Sequence, residues 1–150
     1  MNQENSWPDG LYAELVRVGW TPDRRVDTEV WRADFETEGV QMFPAVEEFL
    51  SRFGGLVFEQ RENGVDSDCF QFELDPDLCR GDGQLFIEWG ESLGKGFYPL
   101  GEFDRGRFYL AMDSDGVIYR VTDELATFGR GVEGLAALVL GVASKPLPLK

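Results

Sequence analysis

The sequence predicts an α+β fold: a single antiparallel sheet of four to six strands flanked by helices. Three observations carry that expectation. Between Gly106 and Thr122, apolar residues recur at every second position: Phe108, Leu110 and Met112 alternate with Arg107, Tyr109 and Ala111, and Val117, Tyr119 and Val121 alternate with Ile118 and Arg120. Asp113-Ser114-Asp115-Gly116 between the runs has turn chemistry, so the stretch reads as a β-hairpin. Two further strands, Leu56–Glu62 and Cys69–Leu74, flank a polar loop containing Asn63-Gly64. By contrast, Met42–Phe53 places Phe43, Val46, Phe49, Leu50 and Phe53 at three- and four-residue spacing, as an amphipathic helix does. Consecutive hairpins imply antiparallel pairing, and strands with one polar face put the helices mainly on the other side.

Two registers fit the Gly106–Thr122 hairpin. A turn of Asp115-Gly116 alone sets Met112 opposite Tyr119, whereas a turn of all four residues sets it opposite Val117. Both put the same apolar set on one face, so Phe49, Phe53, Phe70, Phe72, Leu110 and Tyr119 are expected in one common core under the sheet.

The remaining elements follow in order. Ser6 reads as the N-cap of a first helix, with Pro8 in its first turn, Leu11, Leu15 and Val18 on one face and Gly19 at its end. After the turn Trp20-Thr21-Pro22-Asp23-Arg24, Asp27 caps a second helix to about Glu38, carrying Val30, Trp31 and Phe35 and closed by Gly39. Gly54-Gly55 stops the third helix. Asp75-Pro76-Asp77 breaks a strand and starts a single helical turn; Gln84–Leu93 reads as helix, although its first six residues also suit a strand. Tyr98–Glu102 reads as a short edge strand because of Pro99. Gly131–Val142 forms a closing helix with Leu135, Leu138, Val139 and Val142 on one face, and Lys145–Pro148 a tail.

One domain over residues 1–150 is expected, since a chain of this length removes about 70% of its unfolded surface from water. With 43% apolar and 13% aromatic residues, disorder is not the default. No run approaches the roughly 18 apolar residues of a membrane span, and MNQENSWPDG has neither a basic nor an apolar region, so the expected location is the cytoplasm. In that compartment Cys69 and Cys79 are expected as unpaired thiols. The charge balance is the sharpest compositional fact: 14 basic against 28 acidic residues, a net of −14, and no histidine. Nucleic acid and anionic membranes require a basic footprint and are excluded as partners; a basic protein fits. No particular oligomeric state is indicated.

Chemical motifs fare poorly. Gly129-Arg130-Gly131-Val132-Glu133-Gly134 satisfies GxGxxG, but the chain ends before the acidic residue about 20 positions on that a dinucleotide site needs, so these glycines are expected in a loop before the last helix. Asp113–Gly116 resembles the middle of a calcium loop, yet Ala111 and Thr122 occupy its first and last ligand positions. Without histidine there is no Ser-His or Cys-His pair. The chain is therefore read as no enzyme, with no catalytic residue, no metal site and no cofactor.

What stands out is acidity interleaved with aromatics. Glu88-Trp89 with Glu91, Glu102 with Asp104, Tyr109 on the hairpin's outer face, and Asp113 with Asp115 form a candidate partner-binding set. Protein interfaces favour aromatic anchors inside a charged rim. The alternative binding surface is Glu59–Asp68.

Four stretches in this order and spacing carry a resemblance: Gly19-Trp20-Thr21-Pro22-Asp23-Arg24, Phe49–Leu56, Pro99-Leu100-Gly101-Glu102, and Asp115-Gly116-Val117-Ile118-Tyr119. Together they resemble the SUKH superfamily of bacterial immunity proteins, in particular its third subgroup, related to fungal cell-wall-assembly regulators, over roughly residues 15–141. Asp23 departs from the small turn residue expected there. The resemblance implies a SUKH-like α+β fold and a protein that binds and neutralises a cognate polymorphic toxin, often a nuclease or deaminase, and it carries over no catalytic residue. A regulatory or scaffolding adaptor on the same fold, binding a host protein, is the alternative.

Overall fold

The computed structural model of the chain describes residues 7–59, 64 and 70–147. Its α+β class and antiparallel sheet agree with the sequence reading, but the sheet has seven strands rather than four to six. They are β1 (Val57–Phe58), β2 (Phe72–Glu73), β3 (Phe97–Phe103), β4 (Phe108–Asp113), β5 (Val117–Val121), β6 (Leu125–Arg130) and β7 (Lys145–Leu147), each paired with its sequence neighbours. The described helices are α1 (Leu11–Arg17), α2 (Glu29–Glu36), α3 (Pro44–Phe53), α4 (Gly83–Ser92) and α5 (Gly131–Leu140), with a 3₁₀ turn at Pro76–Cys79.

The extra strands come from segments with no alternating pattern. β6 is Leu-Ala-Thr-Phe-Gly-Arg, and β7 is part of the expected tail, where Pro146 is tolerated because the strand lies at the sheet's edge. β6 runs directly into α5 at Gly131, so the expected glycine loop there does not exist. The first hairpin is present as β1 and β2; Gln60–Asn63 and Val65–Cys69, with most of the alternative surface Glu59–Asp68, lie outside the described residues, as does Ser6, but the first helix starts only at Leu11 after Gly10, so Pro8 precedes it rather than sitting in its first turn. Gln84–Leu93 is helical, as read. The second helix begins at Glu29, whose N–H donates to the Asp27 carboxylate at 2.9 Å, and it buries Phe35 but leaves Val30 64% exposed.

β3 is not an edge strand. It pairs with β4 along its length and with β2 at Glu102 and Phe103. Pro99 survives in this interior strand because β2 does not extend beside it; that flank is taken by the 3₁₀ turn, whose Cys79 Sγ–H donates to the Gly101 carbonyl at 3.4 Å. Gly101 sits at a bulge where β2 passes so close that a Cβ would lie 1.9 Å from the Glu73 carbonyl oxygen.

The β4–β5 register differs from both expected ones. Met112 faces Ile118 and Ala111 faces Tyr119, which leaves a three-residue loop, Ser114-Asp115-Gly116. Gly116 N–H donates to the Asp113 carbonyl at 3.0 Å and Gly116 has φ +89°, a tight turn closed by a left-handed glycine. Since strand side chains alternate, this one-residue shift sends Leu110 and Met112 to one face with Ile118, and Tyr109 and Ala111 to the other with Tyr119.

Both faces are consequently covered. On the first, Tyr98, opposite Met112, packs its ring 5.6 Å from Phe35 of α2 and its hydroxyl donates to the Trp31 carbonyl at 3.2 Å, while α5 packs over β5 and β6. Behind this layer Trp20 stacks on Phe53 of α3 at 6.0 Å, and Arg24 donates to the carbonyls of Arg52 and Gly54 at 2.9 and 2.7 Å. On the second face Tyr119 meets Phe97 at 4.6 Å and Tyr109 lies under α4. Of the expected core, Phe49, Phe53, Phe72, Leu110 and Tyr119 are buried, the last two on opposite faces; Phe70 is half-buried against Phe103.

Phe53, 1% exposed, touches Trp7, Trp20 and Phe49. Phe53→Ala is expected to cost about 3–5 kcal/mol, read as a large fall in melting temperature. A fall no greater than that of the exposed-site control Val30→Ala would contradict this packing.

Candidate functional site

α4 lies across the second face and builds an aromatic cluster there. Phe86 is buried, with Trp89 at 5.3 Å and Tyr109 at 5.4 Å, and Trp89 and Tyr109 are 6.3 Å apart. The Tyr109 hydroxyl donates to the Asp82 carboxylate; burial first, and that bond second, push the phenol's pKa up. Tyr109, expected on the hairpin's outer face, is half-buried, as is Trp89, and the two line a shallow 260 Å³ cleft with Arg107 and Val121.

The β3–β4 turn borders this cluster. Arg107 N–H donates to the Asp104 carbonyl at 3.1 Å, and Asp104 and Arg105 both have φ +55°, a strained conformation for residues with a Cβ. Gln71 holds the turn twice: its carbonyl accepts the Asp104 N–H at 2.7 Å, and its side-chain oxygen accepts the Arg105 N–H at 3.1 Å. Asp104 is half-buried, 3.7 Å from the Arg107 guanidinium.

Glu102 stands opposite Tyr109 on β4 and opposite Glu73 on β2. Burial first, then the charges of Glu73 and Asp75, raise its carboxyl pKa. Among the described residues no lysine or arginine pairs with Glu73, Asp75 or Glu102. The structure thus brings Trp89, Glu102, Asp104 and Tyr109 together. Glu88 and Glu91 are exposed on α4, and Glu91 borders a separate cleft with Lys95.

Asp113 does not belong to this surface. It has no exposed area; its Oδ1 accepts the N–H groups of Asp115 and Val117 at 2.9 and 3.0 Å, and its Oδ2 accepts the Tyr119 hydroxyl at 2.7 Å. Asp115 is exposed at the same turn, at the far end of β4, and Lys95 lies 3.7 Å from both carboxylates. Sequence reasoning missed Gln71, Glu73, Asp75 and Asp82, because their place depends on β2 pairing with β3 and on where α4 starts.

Chemically the face is rich in acceptors and suits cationic side chains. Cys79, beside it, is fully buried; burial and then the charge of Glu102 push its thiol pKa far up, so it stays protonated and unreactive.

Because folding raises the Glu102 pKa, the folded state binds that proton more tightly than the unfolded one, and the group's contribution to stability falls as pH rises through the folded pKa. Glu102→Gln is expected to raise the melting temperature at pH 7–8 and to leave it unchanged at about pH 3, below the unfolded value of about 4.3. An equal effect at both pH values, or none at pH 7, would contradict this electrostatic account.

A family model described as SUKH-3 immunity protein matches residues 7–141. Comparisons with curated proteins and with solved structures gave no match. The four stretches of the resemblance lie inside the matched span, at the Trp20–Arg24 turn, the end of α3, the bulge of β3 and the β4–β5 turn. With most of its length matched, the chain belongs to the SUKH-3 immunity protein family.

Proposed function

We propose that residues 1–150 act as one immunity domain that neutralises a cognate toxin in the cytoplasm by binding it, and that the toxin is a basic domain, such as a nuclease, engaged by the β3–β4 turn and α4. Membership of the family implies an immunity function in general, a protein toxin as partner and a role without catalysis. The observation that carries the finer reading is Glu102, half-buried between Glu73 and Asp75 with its pKa raised and no cation paired to it among the described residues. An arginine or lysine from a partner relieves that repulsion on binding, so the site favours a cationic protein surface. Trp89 and Tyr109 offer apolar edges beside it, and the net charge of −14 steers a basic partner toward the molecule.

Glu88 and Asp104 fit the rim of such a contact, whereas Asp115 lies at the far end of β4 and Asp113 acts through the fold alone. Reversing both Glu88 and Asp104 to lysine is expected to slow association with the toxin encoded beside this gene about tenfold at about 50 mM salt. The difference should shrink toward 1 M, where the Debye length is about 3 Å. A folded double variant that associates at the wild-type rate at every salt concentration would remove this face from the contact. Co-expression tests the role itself: killing by the neighbouring toxin should be relieved, and unrelieved killing would reject immunity in favour of an adaptor that binds a host protein.

A further inference from the structure

The opposite face of the sheet carries one charge among apolar neighbours. Arg120, in the middle of β5, stands opposite Leu110 on β4 and Ala126 on β6, both buried. Its guanidinium carbon lies 4.3 Å over the Phe108 ring, and its Nε is buried without a hydrogen-bond acceptor. Among the described residues no aspartate or glutamate forms an ion pair with it. In a chain with twice as many acidic as basic residues, carboxylates are abundant, yet among the described residues none is paired with Arg120. A desolvated donor of this kind is unfavourable until an acceptor reaches it.

Beside Arg120 opens a cleft of about 220 Å³ walled by Phe70, Phe103, Phe128, Leu138 and Val142. The Phe103 ring lies 5.4 Å from Phe70 and 5.5 Å from Phe128, so aromatic surface surrounds the cationic end. The cleft is smaller than the roughly 300 Å³ at which drug-sized sites begin. We propose that it binds a small apolar carboxylate, an aryl or branched alkyl acid, with its body between the phenyl rings and its charge on the Arg120 fork. A guanidinium matches a carboxylate's two oxygens, and one guanidinium with no carboxylate partner among the described residues, in a molecule of net charge −14, suits a monoanion better than a phosphate. Arg120 lies on the sheet face opposite Tyr109, so this site is independent of the toxin-binding face.

The test uses 3-phenylpropionate and its uncharged amide as probes, with the full chain labelled for NMR. The acid should shift the Arg120 Nε–H, Phe128 and Leu138 signals in a saturable way, at least tenfold more tightly than the amide. Arg120→Gln should weaken the acid at least tenfold and leave the amide unchanged. Val142→Trp, which fills the mouth from a position 37% exposed, should abolish binding without touching the core, and keeps the test decisive if Arg120→Gln does not fold. Equal binding of acid and amide, shifts centred elsewhere, or full binding by Val142→Trp would each overturn the proposal.

Discussion

A buried carboxylate at the β4–β5 turn holds the register that sets which sides of the sheet β4 and β5 present to each helix layer. Asp113 accepts two backbone N–H groups within its own turn and the Tyr119 hydroxyl from the next strand, and has no exposed area. A buried carboxylate is tolerated when its acceptor sites are filled, and the three-residue loop fills them here. A two- or four-residue turn would exchange the faces of one strand against the other. Leu110, Met112 and Ile118 would no longer share a face beneath α2 and α5, and Tyr109 and Tyr119 would no longer share one beneath α4.

The two faces then acquire different characters. Under α2 and α5 the sheet is apolar except for Arg120, and the helices behind it are tied by the Trp20 stack and the Arg24 bonds to the end of α3. Under α4 the aromatic cluster is edged by carboxylates, and the strained Asp104-Arg105 pair is held by Gln71, the residue before β2. Most residues that carry the family resemblance are joints of this scaffold: Trp20, Arg24, Phe53, Gly101 and Gly116 set stacks, close approaches and turns. Glu102 is the exception, since it lies in one of those stretches and also faces the acidic surface.

Local patterning made the α+β class, the amphipathic α3 and the α4 helix legible in the sequence, because each is written within a few residues, whereas the cap of α2 falls on Thr28 rather than on Asp27. The register of the main hairpin was not, because it depends on a side chain binding Tyr119 six positions away, which no alternation rule records. Strands β6 and β7 escaped notice since their sequences do not alternate and their pairing comes from neighbours. For the candidate face, the acidic and aromatic composition pointed to Trp89, Glu102, Asp104 and Tyr109. Their gathering around Asp82, Glu73 and Gln71, and the withdrawal of Asp113 from the surface, required strand pairing that only the fold supplies.

The central claim is that this member of the family presents one side of its sheet, the α4 side with Glu73, Asp75 and Glu102, to a basic partner, as proposed above. Hydrogen–deuterium exchange of the chain alone and in complex with the protein toxin proposed as its partner tests it most directly. The account predicts slower exchange on binding in Gly83–Ser92 and in 102–109, with α1 and α5 unchanged. Protection confined to α1 and α5, with α4 and the β3–β4 turn exchanging as in the free protein, would contradict it.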